Sequence, residues 1–307
     1  MAHEPATGIA CNESGSIMAG KTQGILVGCA VLASGFIVLL VVGIALLGGD
    51  APWSDLGRGK IGLVMIEGAI GDVRGLVEEI DANRKDSSIA AVVVRINSPG
   101  GEVAPSQELH AALKRLAEEK PVVASLGSVA ASGGYYAAVA ADSIVANPGT
   151  LTGSIGVIFN FPTARQLLEK LGIEYHVFKS GSMKDLGSFS REPTEAEGAV
   201  FDAIIADTYE QFLEAVMDGR GLSRDEVLPL ADGRVFTGRQ AYEAGLVDRL
   251  GDLSSAFALA ADMANLSGEP RIVRKTRPLP GYFHLLERLL EGRTLVAGWP
   301  TLQYRWR

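Results

Sequence analysis

Cysteine is nearly missing from this 307-residue chain: Cys11 and Cys29 are its two, and nothing after residue 50 carries a thiol. The bulk of the chain therefore folds without disulfides and binds no thiolate-held metal. Histidine is scarce as well, limited to His3, His110, His176 and His284, so a histidine-based catalytic centre has few ways to be built. A basic stripe is also lacking. Lys and Arg number 28 against 36 Asp and Glu, for a formal net charge of −8, and this balance argues against a protein that tracks nucleic-acid phosphates. Aromatic residues are few at 7%, yet hydrophobic residues make up 47%, which is ordinary for a globular α/β protein with a sizeable core.

One long uncharged segment is present, from Gly24 to Gly49. It is long enough to cross a hydrocarbon core of about 30 Å as a helix. A cleaved signal peptide is the rival reading, but its apolar region spans only about 7–15 residues. The chain then divides into a polar leader expected to be disordered (1–21), a transmembrane anchor (22–49), a linker (50–59), a catalytic domain (60–275) and a tail (276–307). Lys21 precedes the span while Arg58 and Lys60 follow it, so flanking charge does not fix the topology.

Beyond the linker, apolar runs alternate with helical spacing. Leu63–Ile66 and Ala90–Ile96 read as strands buried on both faces. Leu109, Leu113 and Leu116 mark a helix between the second strand and a third at Val122–Leu126. A helix is expected over Ala131–Ala140, a strand and loop over Leu151–Phe159, a helix over Thr163–Leu171 and a strand over Glu174–Phe178. Thr194 opens a long amphipathic helix through Val216 with a capping box, Thr237 is the expected N-cap of another, and Ser254–Leu266 forms one more. Pro278, Pro280 and Pro300 take the tail out of this pattern. Alternation of this kind predicts an α/β fold with a mainly parallel sheet, whose glycine-rich loops at the strand C-terminal ends gather on one edge.

Two such loops carry the chemistry. Asn97-Ser98-Pro99-Gly100-Gly101 follows the second strand, and Ala131-Ser132-Gly133-Gly134 follows the third. Ser132 is the candidate nucleophile, and a serine hydroxyl needs a base to take its proton. His3 and His284 lie near the chain ends. His110 sits beside the core-facing Leu109 and reads as a surface residue, while His176 alternates within the expected strand. A lysine can replace histidine when its amine is neutral. Lys184 lies among small and apolar residues in Ser180–Ser188, and an ordinary surface lysine is the competing reading. Main-chain N–H groups at Gly100 or Gly101 and at Gly133 can serve as an oxyanion hole, because glycine lets backbone come close to a ligand.

Together, ASGGYY at Ala131–Tyr136, NSPGG at Asn97–Gly101, TGSIGV at Thr152–Val157, SMKDLGS with SREPTEAE, and GRVFTGRQAYEAGLVDRLG at Gly233–Gly251 resemble the signal peptide peptidase SppA family in its short bacterial form. The match covers about residues 60–275. The resemblance implies a Ser/Lys-dyad serine protease built from repeated ββα units of the ClpP/crotonase-like fold. Its catalytic domain is held outside the cytoplasmic membrane by the N-terminal helix in the bilayer. It further implies Ser132 as nucleophile, Lys184 as general base, Ser154 as the hydroxyl orienting that lysine, and no cofactor or metal. Peptide substrates such as remnant signal peptides, and assembly into a homo-oligomeric ring, follow from it too; whether Ser132 and Lys184 come from one protomer or from two is left open by the resemblance. A crotonase-type acyl-CoA hydratase or isomerase, a catalytically inactive membrane scaffold and an NfeD-linked type membrane protease are the alternatives.

Overall fold

The structure, a computed structural model, describes residues 59–274 and 301–305, together with 35 and 36. The leader, the 22–49 span apart from that pair and most of the tail lie outside the described residues. Among the described residues no helix is long and apolar enough to cross a membrane. One compact unit begins at Arg58.

The chain order is β1 (Lys60–Glu67), α1 (Arg74–Lys85), β2 (Ile89–Ser98), β3 (Gly100–Glu102), α2 (Val103–Ala117), β4 (Val122–Ala131) and α3 (Gly133–Ala138). Then come β5 (Ser143–Ala146), β6 (Leu151–Gly153), β7 (Ile158–Asn160), α4 (Arg165–Leu171), α5 (Glu195–Arg220) and α6 (Arg224–Val227). The described residues end with β8 (Val235–Thr237), α7 (Gly238–Glu243), β9 (Arg249–Leu250), α8 (Leu253–Met263), β10 (Arg271–Val273) and β11 (Thr301–Arg305).

The expected α/β architecture is present. Strands run in the order β10-β1-β2-β4-β5-β9, every neighbouring pair parallel. Val92, Val93 and Val94 of β2 are all fully buried, as a central strand covered on both faces requires. Ile61, Ala91, Val93, Val123 and Val145 pack on α8 through Ala256, Leu259 and Ala260. On the other face Val64, Val92, Val94, Ala124 and Ile144 join the α2 leucines and Phe212, Leu213 and Val216 of α5 in the main core. Each fully buried aliphatic side chain contributes about 1.5–3 kcal/mol. Capping boxes close the N-termini of α5 at Thr194 and of α7 at Thr237, as the sequence predicts.

Three expectations are corrected. Glu174–Phe178 is not a strand but an irregular, exposed stretch, with Phe178 98% exposed. Alternating apolar residues form a strand only with an edge to pair with and a surface to pack on, and no strand pairing reaches this segment in the described residues. His110 is half-buried rather than a surface residue: its Nδ1 lies 2.9 Å from the Tyr136 carbonyl and its ring meets Tyr136 edge-on. The tail does not wholly leave the compact pattern, because β11 lies antiparallel between β3 and β7 in a second, three-stranded sheet.

Candidate active site

β4 continues five residues past the expected Leu126 and delivers the chain directly to Ser132. There the backbone turns with φ 54° and ψ −118°, a conformation that costs a non-glycine residue about 1–3 kcal/mol and persists only where its surroundings enforce it. The enforcement is visible. The Ser132 N–H donates to the Gly153 carbonyl at 2.7 Å, and its own carbonyl accepts from Tyr136 N at 2.8 Å. This strand-to-helix turn holds Ser132 at the end of the sheet, buried to 1% exposure.

The short helix α3 that follows is held by its two tyrosines. Tyr135 is fully buried and donates its hydroxyl to the Leu246 carbonyl at 2.8 Å; burial drives its phenol pKa upward. Tyr136 packs between His110 and Phe212. His110 is thereby committed to structure, and burial lowers its pKa. His176 is exposed and lies 3.3 Å from Glu174.

Ser154 reaches the same place from β6, which pairs in parallel with the C-terminal end of β4, Ala131 opposite Gly153. It too has a positive φ, 52°, and its N–H donates to the Arg234 carbonyl at 2.9 Å. Ser132 and Ser154 open on one cleft of about 420 Å³, walled by Val157, Ile158, Ile205 and Tyr209 and by the turn Ala231–Gly233. Asp232 at this turn is paired with Arg234, which holds its carboxyl at about 2. The walls are otherwise mostly apolar.

The two glycine-rich loops meet beside Ser132. Gly133 has room for a hydrogen and little more: a Cβ there would lie 2.4 Å from Ser106 Oγ and 3.3 Å from Gly101 N. The N–H of Gly100 donates to Ser98 Oγ at 3.1 Å, so it is already engaged. Ile70 bonds to the neighbours of Gly101, donating to the Gly100 carbonyl and accepting from Glu102 N. In a parallel bridge of this kind the N–H of Gly101 points to the opposite edge. On that edge lies β11, with Tyr304 opposite Gly101 and Gln303 opposite both Glu102 and Ile158.

Lys184 is not among the residues lining the cleft. It is exposed, in a turn where its N–H donates to the Gly181 carbonyl at 3.1 Å. The structure thus gathers Ser132, Ser154, Gly101 and Gly133 within one chain and leaves Lys184 outside. Sequence reading did not single out Ser98, Ser106, or the Ile205 and Tyr209 side of α5 as a cleft wall. Ile205 and Tyr209 carry the apolar periodicity of a core face, and nothing in that pattern separates core from cleft. Among the described residues no group of three or more His, Cys, Asp or Glu side chains is placed to hold a metal ion.

A strained serine turn lining a mostly apolar cleft, with a second glycine-rich loop packed against it, is suited to acyl transfer, and comparison with known proteins agrees. The model of peptidase family S49 matches residues 114–267, which include Ser132, Ser154 and Lys184. The chain is 45% identical over 216 residues to a candidate protease of Synechocystis sp., covering 70% of this chain and 78% of that protein. It is 37% identical over 238 residues to the chloroplastic serine protease SPPA of Arabidopsis thaliana, and 35% identical over 216 residues to Protease 4 of Haemophilus influenzae. Those alignments cover 72% and 67% of this chain but only 35% of each of the two relatives. With the fold, the serine turn and these similarities in agreement, the chain belongs to peptidase family S49, the SppA peptidases, and is a serine protease.

Proposed function

We propose that this protein is a membrane-anchored endopeptidase that hydrolyses short hydrophobic peptides, remnant signal peptides among them, on a ClpP/crotonase-like frame. Ser132 is the nucleophile, and Lys184 of a neighbouring copy is the general base. The observation that carries the reading is the strained turn at Ser132, φ 54°, buried in the lining of a cleft whose other walls include Val157, Ile158, Ile205 and Tyr209. Apolar walls favour hydrophobic substrate side chains. The place of β11 between β3 and β7 supports an extended substrate held by main-chain hydrogen bonds.

In this mechanism Ser132 Oγ attacks the scissile carbonyl carbon while its proton passes to the neutral Lys184 amine. The N–H groups of Gly101 and Gly133 receive the developing oxyanion; Gly100, engaged by Ser98, is left to shape the loop. Collapse of the tetrahedral intermediate breaks the C–N bond, and the lysine proton goes to the departing amine. Water, deprotonated by the same lysine, then releases the acyl group and restores Ser132. Ser154 orients the lysine through its hydroxyl.

A base donated across a subunit contact fits the exposure of Lys184 and of the apolar side chains on its segment. Leu167, Leu171, Ile173 and Phe178 are each more than half exposed, the composition of a surface covered in an assembly. The uncharged stretch from Gly24 to Gly49 supports a bilayer anchor, with the catalytic domain on the extracytoplasmic side. A reporter fused after residue 307 tests that side.

The deciding experiment uses the full chain in a membrane mimic and a hydrophobic peptide substrate. Ser132→Ala and Lys184→Ala are each expected to be inactive. After dissociation and reassembly together, the two inactive proteins are expected to regain part of the activity, because mixed assemblies contain intact serine–lysine pairs. Hydrolysis by Lys184→Ala alone refutes the base, and a mixture that stays inactive refutes the shared site.

A further inference from the structure

Ser132, Ser154, Gly101 and Gly133 stand at the ends of sheet strands, where the core fixes them. Lys184 has no such support. Residues 172–192 form neither helix nor strand, and most of their apolar side chains face outward, Phe178 at 98% exposure and Met183 at 40%. A general base has to arrive within hydrogen-bond reach of its proton, so something other than burial must fix the turn that carries it.

The hydrogen bonds show what does. Asp185, the residue after Lys184, accepts from Arg191 Nε at 3.0 Å and from Lys179 Nζ at 2.5 Å. The same Arg191 turns the open end of its guanidinium to Glu197, with Nη1 2.7 Å from Oε2 and Nη2 bonded to Oε1. Glu197 is only 2% exposed in its side chain and also accepts from Thr194 N at 2.8 Å. It belongs to the first turn of α5, the helix whose Ile205 and Tyr209 wall the Ser132 cleft and whose Phe212, Leu213 and Val216 enter the core. One planar cation thus ties the lysine-bearing turn to the helix that lines the serine cleft. Only the arginine fork can bond a carboxylate through two nitrogens while presenting its Nε to another.

We propose that Arg191 is a positioning residue for the general base: bridging Asp185 and Glu197, it sets the place of the Lys184 amine relative to α5. The inference rests on the reading of Lys184 as base.

The test compares Arg191→Gln, Arg191→Lys and Asp185→Asn with Lys184→Ala in the full chain, measuring kcat and KM for one peptide together with the thermal midpoint and the assembly state. Arg191→Gln is expected to lower kcat at least tenfold with KM within twofold of wild type. Arg191→Lys, which keeps the charge and loses the fork, is expected to stay within threefold of Arg191→Gln. Asp185→Asn removes the carboxylate charge from the link on the lysine side and leaves the Arg191–Glu197 pair in place. It is therefore expected to reproduce the kcat loss with an unchanged midpoint, and it decides the matter if Arg191→Gln does not fold. Near-wild-type kcat in a folded Arg191→Gln or in Asp185→Asn, beside an inactive Lys184→Ala, overturns the positioning role; so does a change confined to KM. An active Lys184→Ala instead removes the base on which the inference depends.

Discussion

Replacing Gly133 by alanine separates packing from catalysis in one pair of proteins. A Cβ at this position would lie 2.4 Å from Ser106 Oγ and 3.3 Å from Gly101 N. The first contact is an overlap with a side chain, and insertion of a methyl group into a close-packed site costs about 1–3 kcal/mol. Ser106→Ala removes the obstructing oxygen at the expense of its 2.7 Å hydrogen bond to the Glu102 carbonyl, about 1 kcal/mol. The double variant Gly133→Ala/Ser106→Ala should therefore recover most of the thermal midpoint lost by Gly133→Ala. For a domain of this size each kcal/mol corresponds to about 2–4 °C. The second contact is with a backbone amide, and Ser106→Ala does not relieve it. If Gly101 and Gly133 donate to the oxyanion, the methyl group crowds the place where that oxygen must sit. Loss of one such donor lowers kcat by about 10²–10³, or about 2.7–4 kcal/mol. The expected result is a double variant that is nearly as stable as Ser106→Ala and still at least a hundredfold slower than it. Thermal unfolding and steady-state hydrolysis of one peptide measure both quantities. Recovery of kcat along with stability would show that the Gly133 and Gly101 amides take no part in the reaction.

Two further outcomes are expected. The Arg191 guanidinium, with help from the Thr194 N–H, holds the Glu197 carboxyl at about 2, and Arg191 with Lys179 lowers Asp185 as well. Both carboxyls are depressed by folding, so their contribution is present above the ordinary carboxylate range near pH 4 and is lost as pH falls toward 2. Hydrogen exchange over 179–192 should accelerate in that window in wild type, and an Arg191→Gln chain should exchange fast already at neutral pH; equal acid sensitivity in both would refute the assignment. Because β11 lies along the edge of Gly101, deletion of residues 301–307 should lower KM for long peptides several-fold, with a synthetic peptide of that sequence restoring it competitively. An unchanged KM would show that this edge is not where peptides bind.

How far the sequence could be read depended on the range of the interaction. Buried strands announced themselves because a strand covered on both faces must be apolar at every position, as Val92, Val93 and Val94 are. Helix starts at Thr194 and Thr237 were equally plain, since a capping box is a contact between residues three apart. Glu174–Phe178 misled for the opposite reason: its alternation is real, but pairing depends on an edge that no local pattern reveals. His110 looked like a surface residue because its partner, the Tyr136 carbonyl, is 26 positions away. The same limit hid Arg191. Its charge is evident, whereas its link between Asp185 and a buried Glu197 exists only once the chain has turned back on itself.

The sequence by itself determined a mainly parallel α/β sheet, the two glycine-rich loops, the serine within the second of them and the long uncharged stretch near the N-terminus. Hydrophobic periodicity, glycine and capping are short-range properties of the chain. Only the tertiary structure decided that Ser132 and Ser154 share a cleft, that the Gly100 amide is engaged by Ser98 while that of Gly101 faces the opposite edge, and that β11 returns to that edge. Each of these depends on which strand ends the sheet brings together, and register and crossover are settled by packing over the whole domain. The exposed position of Lys184 is of the same kind: its neighbours in sequence suggested enclosure, but the segment has no core of its own, and nothing among the described residues encloses it.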